Sequence, residues 1–275
     1  MIKRLKGLAA RIADTRLVRS LVVHLVYPTI VRCLLQEVQP DKDSPSGLAE
    51  AFGWKAHALL VKNEELADGK NCCAGASEST SESRGRLLDV VLESAASVPG
   101  DVFEFGVASG DSFLTFLDRC PDRQVYGFDS WEGLPEKWWT RPKGAFKATP
   151  PEFKNPNGHL IKGWYNESAP RFFDDWHGHI AILHIDCDLY SSTATVFQHA
   201  IRYCRAGTVV LFDEYWNYPK FAEHEWLAWR RTRAAFSIKA ECIGYDGRRA
   251  AFRIREIASP IFRANADRRA EPTTV

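Results

Sequence analysis

The chain has no excess of charge, no metal-binding cysteine pattern and no apolar run of membrane length. Lysine and arginine (36) nearly balance aspartate and glutamate (35) over 275 residues, so no bulk field recruits nucleic acid or an anionic membrane. A nucleic-acid substrate is disfavoured on that ground. The seven cysteines are odd in number, Cys72 and Cys73 are adjacent, and none stands in a Cys-x-x-Cys pair. Neither a disulfide framework nor a zinc site is indicated, and a reducing cytoplasm is the expected compartment. The apolar stretch from Leu21 to Val31 is broken by His24 and Pro28. It is shorter than the roughly 20 residues a spanning helix needs, and it lacks a small-residue cleavage site, so neither a transmembrane segment nor a secretory signal is expected.

What is present suits one α/β domain with an extension: the chain is 45% hydrophobic and 26% charged, enough to bury a full core. Residues 1–84 read as an N-terminal helical extension followed by a polar linker or lid, 85–258 as the main domain and 259–275 as a disordered tail. Residues 1–32 carry a single acid, Asp14, against several basic residues. Such a helix either contacts a membrane surface peripherally or packs on the domain or on a second subunit of a homo-oligomer, and the packed reading is preferred. Asp68 to Arg84 has no large apolar side chain to anchor it in a core.

Beyond Arg84 the pattern alternates as a doubly wound α/β fold should. Leu87, Leu88, Val91, Leu92 and Ala95 recur at helical spacing before Pro99-Gly100. Strands are expected over 101–105, 124–129, 159–162, 180–185 and 208–212, the last two as continuous apolar runs covered on both faces. Ser191 to Thr193 is expected to cap the helix between them, whose Val196, Phe197, Ala200, Ile201 and Cys204 form a core stripe. Phe236 to Ile243 and Ala250 to Ile254 flank Asp246-Gly247 as an antiparallel hairpin.

The most informative segment is Phe-Glu-Phe-Gly-Val-Ala-Ser-Gly over 103–110, a strand holding Glu104 that runs into a turn bounded by Gly106 and Gly110. A second strand ends at Asp129, 25 residues after Glu104, where a doubly wound sheet places its ribose-binding acid. Together they predict a site for an adenosine-containing cofactor. The turn lacks one glycine of Gly-x-Gly-x-x-Gly, and Asp111 at the helix start would repel a pyrophosphate. That disfavours a dinucleotide and suits S-adenosylmethionine, which carries no phosphate.

This segment resembles motif I of class I S-adenosylmethionine-dependent methyltransferases. Gly127 to Pro135, His184 to Thr193 and Leu211 to Pro219 are similar, in the same order, to signature segments of the macrocin O-methyltransferase (TylF/MycF-like) family. The resemblance implies a Rossmann-like, seven-stranded, mostly parallel sheet closed by the terminal hairpin. It does not cover the N-terminal third. It implies cofactor contacts from Glu104, Gly106, Ser109, Gly110, Asp129 and Ser130, while Trp164 is the aromatic candidate to flank the adenine.

Asp186 and Asp188 follow the fourth strand, and Asp213 and Glu214 follow the fifth. Like charges about 5 Å apart repel by roughly 3 kcal/mol at an effective dielectric of about 20, so such a cluster calls for compensation. A hard divalent cation, magnesium before manganese or calcium, would compensate, lower the pKa of a coordinated acceptor hydroxyl and align it for attack. The resemblance assigns the metal to Asp186, Asp213 and Glu214, although related enzymes commonly carry Asp-Asp where this chain has Asp213-Glu214. Asp186 and Asp188 are the catalytic candidates, Asp188 as base or as a structural acceptor. His184 reads as a hydrogen-bonded core residue and Glu225 as a residue behind the site. Lys137 to Phe146, with Trp138 and Trp139, either lines a sugar-like or other small-molecule acceptor pocket or packs a loop. The expected activity is O-methylation of a small-molecule or glycan hydroxyl. The alternatives are a metal-dependent glycosyltransferase using Asp186-x-Asp188 and a non-catalytic member of the fold.

Overall fold

The computed structural model describes residues 54–73 and 80–257. The expectations for residues 1–32 and 259–275 therefore lie outside the described residues. The chain order is α1 (Trp54–Glu64), β1 (Lys70–Asn71), α2 (Ser81–Ala95), β2 (Asp101–Phe105), α3 (Asp111–Arg119), β3 (Val125–Asp129), β4 (Gly158–Lys162), α4 (Tyr165–Asp175), β5 (Ile180–Ile185), α5 (Tyr190–Ala200), β6 (Val209–Phe212), α6 (Glu225–Ala235), β7 (Ile238–Tyr245) and β8 (Ala250–Ile257).

The strands form one sheet in the order β1-β7-β8-β6-β5-β2-β3-β4. Only β8 runs antiparallel to its neighbours, pairing β6 and β7. Since β2 lies beside both β3 and β5, the winding reverses at the β2–β5 boundary, and in open α/β sheets a ligand crevice forms outside the strand ends there. All six residues of β5 and all four of β6 are buried, as strands covered on both faces must be. One core holds Phe103, Phe128, Leu183, Phe212 and Trp229; the other holds Leu87, Val91, Phe113, Phe116 and Ile182. The stripe Val196, Phe197, Ala200, Ile201 and Cys204 is buried as expected.

Three expectations are corrected. The sheet has eight strands among the described residues, because β1 adds a parallel edge through Lys70↔Gly244 and Asn71↔Tyr245. The stretch from Asp68 to Arg84 is anchored at both described ends, with Cys72 buried in the smaller core. At one end the Cys72 amide donates to the Tyr245 carbonyl; at the other Thr80 and Ser83 form a capping box at the start of α2. Ser191 to Thr193 does not cap α5: Leu189 is the N-cap, and the Thr193 hydroxyl donates back to the Leu189 carbonyl. α1 also joins the larger core through Ala58 and Val61, and Glu65 just beyond it accepts from Tyr215, Trp226 and Arg230. No helix among the described residues is long and apolar enough to cross a membrane.

Candidate functional site

The turn after β2 is shaped by two close approaches. Gly106 has φ +101°, and a Cβ there would stand 1.8 Å from the Asp186 carbonyl oxygen, so this backbone can lie against the end of β5 only as glycine. Gly110 has φ +94° and caps α3, with the Pro151 ring where a side chain would go. Between them Ala108 takes φ +46°, and its amide donates to Asp129 Oδ2 at 2.8 Å. The other carboxylate oxygen of Asp129 accepts from the Trp131 amide at 2.7 Å, and Trp131 Nε1 returns a bond to the Ala108 carbonyl. Asp129 thus ties the turn after β2 to the turn after β3.

A cavity of about 630 Å³ opens at this point. Gly106, Asp129, Ser130 and Trp164 line it, and so do Asp186, Asp188, Asp213 and Glu214, with Gly106 packed against the Asp186 backbone. Glu104, Ser109 and Gly110 are not among its lining residues. Glu104 is fully buried beneath the turn, where the Ser112 hydroxyl donates to it and His184 Nδ1 lies 3.0 Å from Oε1. His184 is therefore a hydrogen-bonded core residue, as its sequence context indicated. Trp138 belongs to both readings offered for it: it lines the cavity while packing against Phe146 and Tyr218. Trp139 lines the cavity from an exposed position.

The carboxylates converge, and arginines meet them. Arg249 holds Asp213 at 2.6 and 3.4 Å, Arg84 approaches Asp213 at 3.4 Å and Asp186 at 4.0 Å, and Arg248 pairs with Glu214 at 3.1 Å. Burial raises the Asp213 pKa, but Arg249 and Arg84 outweigh it and hold the group below its ordinary value. The others lean the opposite way. Burial, then Asp213 and Asp188, pushes Asp186 well above the usual range; burial, then Glu214, does so for Asp188; burial and Asp213 push Glu214 up to about 7. Glu225 is wholly buried, accepting from the amides of Cys187, Asp188 and Glu214 at 3.1, 3.0 and 3.2 Å. It clamps the segments after β5 and β6 together, a structural role behind the site. Among the described residues, Glu104, His184 and Asp186 also bring one ligand atom each within 4.8 Å of one another, although Glu104 and His184 are engaged with each other.

The sequence reading missed the arginines. A partial signal for Arg249 was available: it directly precedes the second strand of the terminal hairpin, which returns beside β6 in a register that sets Phe212 against Ala250 and brings Arg249 to Asp213. Arg84 had none, since it reaches the cluster from the start of a helix far away in sequence.

Residues 103–215 match the profile of a family described as a methyltransferase domain. A curated relative from Streptomyces olivaceus, 8-demethyl-8-(2,3-dimethoxy-alpha-L-rhamnosyl)-tetracenomycin-C 4'-O-methyltransferase, is 24% identical over 225 residues, covering 72% of this chain and 78% of that protein. The calicheamicin methyltransferase CalS11 superposes with a TM-score of 0.52 at 21% identity, over 80% of this chain and 96% of its own. The O-methyltransferase NovP gives 0.51 at 22%, over 62% and 80%. The fold is the Rossmann-like class I methyltransferase fold, and residues 103–215 within it carry the match to a methyltransferase domain.

Proposed function

We propose that the protein is an S-adenosylmethionine-dependent O-methyltransferase of the macrocin type, acting in the cytoplasm on a hydroxyl of a sugar-like or other small-molecule acceptor. The observation that carries this reading is the continuity of one cavity from the Gly106 turn, Asp129 and Trp164 to the carboxylate cluster. The first part suits an adenosine and the second an acceptor hydroxyl. A sugar-directed O-methyltransferase among the relatives supports the acceptor class.

In this reading Asp129 accepts from the ribose hydroxyls and Trp164 flanks the adenine, while Asp188 is the base that receives the acceptor proton. Trp138 and Trp139 bound the acceptor side and narrow the access of water. The oxygen donors fit a hard cation. Glu214 Oε2 is buried with no hydrogen-bond partner among the described residues, and burial, followed by the neighbouring acids, pushes Asp186 well above the usual range and Glu214 up to about 7, which a bound cation would relieve. Asp186 and Glu214, with Asp213 oriented by Arg249, would hold magnesium, which when bound lowers the pKa of a coordinated hydroxyl.

The test is calorimetric titration of S-adenosylhomocysteine with and without magnesium, followed by transfer of a labelled methyl group to glycosylated acceptors. Binding and transfer are expected. No binding to the donor product, together with binding to nucleotide sugars, would overturn the reading in favour of Asp186-x-Asp188 glycosyl transfer.

A further inference from the structure

The donor in this reading ends in an amino acid, so its site must meet an ammonium and a carboxylate. The ammonium is easily placed, because Asp186 keeps 26% of its side-chain surface open beside Gly106. The carboxylate is harder, because the same acids repel it. It needs a cation whose pairing is not already complete.

Arg249 is committed: besides Asp213 it holds Asp246 at 3.0 Å, and its side chain is only 14% exposed. Arg248 is paired with Glu214, and Arg141, the other arginine lining the cavity, lies over the Phe146 ring. Arg84 is not itself a lining residue but pairs with Asp186 and Asp213, which are, and it differs from the other three. Its guanidinium stands between Asp213 and Asp186 at 3.4 and 4.0 Å, is 36% exposed, and makes no side-chain hydrogen bond among the described residues. Asp213 has its countercharge from Arg249 without it. The backbone that carries Arg84 is fixed by the Thr80–Ser83 capping box and by the Ser83 hydroxyl donating to Asp246 Oδ2 at 3.0 Å, so the guanidinium is presented from a firm base.

We propose that Arg84 is the residue that recognises the α-carboxylate of the methyl donor, forming with Asp186 a two-sided clamp on the zwitterionic end. This assignment rests on the donor reading above and deepens it. A guanidinium matches a carboxylate with two parallel N–H donors, a geometry that its present partners do not use. Arg84 is then a binding residue that stays paired with the acids until the donor arrives.

The experiment is calorimetry on the full chain with three ligands: S-adenosylhomocysteine, its decarboxylated analogue, which keeps the ammonium, and 5′-methylthioadenosine, which lacks both groups. Wild type is expected to prefer S-adenosylhomocysteine over the decarboxylated analogue by about 10- to 100-fold, the range of a charge-assisted pair. Arg84→Ala should abolish that preference by weakening S-adenosylhomocysteine, while the decarboxylated analogue, whose ammonium no longer competes with the Arg84 charge at Asp186, should bind at least as tightly as to wild type and 5′-methylthioadenosine should be unchanged. Arg84→Lys should recover part of it. Equal losses for all three ligands would make Arg84 a structural counterion and overturn the proposal, as would an undiminished preference in Arg84→Ala. Wild-type binding of S-adenosylhomocysteine without preference over the decarboxylated analogue also overturns it while sparing the donor reading. Binding of none of the three by wild type overturns both.

Discussion

Removal of the Asp129 carboxylate should cost donor affinity in two separable parts. Each of its oxygens already accepts one backbone amide, from Ala108 and from Trp131, and each retains a second acceptor direction. Two ribose hydroxyls donating to a carboxylate contribute about 1.5–3 kcal/mol each, so Asp129→Ala should lose at least about 3 kcal/mol of S-adenosylhomocysteine binding, roughly a hundredfold or more. A second loss comes through the turn. Ala108 and Trp131 sit at φ +46° and +58°, and without their acceptor these left-handed conformations are less well held. A cycle with a 2′-deoxy ligand separates the two. On wild type, removing the 2′-hydroxyl should weaken binding by about 10-fold or more; on Asp129→Ala it should make almost no difference. Calorimetry of the four combinations gives the coupling directly. If the deoxy ligand loses as much on the variant as on wild type, Asp129 does not meet the ribose and serves only the turn.

Other consequences follow from the same geometry. Glu225→Ala orphans three buried amides at about 1–3 kcal/mol each, partly offset by relief of repulsion from Asp188 and Glu214. A net destabilisation of roughly 2–4 kcal/mol in urea unfolding is expected, together with a fall in turnover; a change within about 0.5 kcal/mol would show that the clamp is not needed. His57 lies between Phe221 and Trp226, each 5.0 Å away, where burial and then Arg230 lower its pKa to about 4. Because the folded pKa is below the unfolded value of 6.5, the contribution is present above 6.5 and is lost as pH falls toward 4, amounting to about 2 kcal/mol between pH 7 and pH 5. The unfolding curves of wild type and His57→Phe should converge or diverge by that amount over this range; parallel curves would refute the assignment. Manganese or magnesium should bind wild type in calorimetry and fail to bind Asp186→Ala, and chelation should lower turnover. Undiminished transfer after chelation, with no measurable heat of binding, would remove the cation from the mechanism.

What could be read from the sequence was set by how local the determining interaction is. The turn from Gly106 to Gly110 and the acid at Asp129 were legible because strand, turn and helix are consecutive, and two such units in register bring both to one crevice. Strands β5 and β6 were legible as unbroken apolar runs. The two-residue β1 was not: its pairing with β7 joins residues more than 170 positions apart, and two polar residues show no period. The same limit explains the acidic cluster. Four carboxylates at the ends of neighbouring strands were visible and required positive charge, but the sequence order did not show how much of it the protein itself supplies.

That supply also bears on how the cluster works. Arg249 and Arg84 hold the Asp213 carboxyl below its ordinary pKa, whereas burial and the neighbouring acids push Asp186, Asp188 and Glu214 up, so Asp213 is the carboxylate whose charge the protein itself best supports. A cation or the ammonium of the donor entering beside Asp186 lowers its pKa again, and the two ligands then compete for, or share, the charge that Arg84 partly covers. If the donor carboxylate draws Arg84 away, Asp186 and Asp213 gain affinity for a cation, and linkage requires the cation to strengthen donor binding by the same factor. Magnesium titrations in the presence and absence of S-adenosylhomocysteine measure that factor. A value above one on wild type that falls to one in Arg84→Ala would identify the arginine as the coupling element; a factor of one in both would mean that Arg84 does not link the two sites.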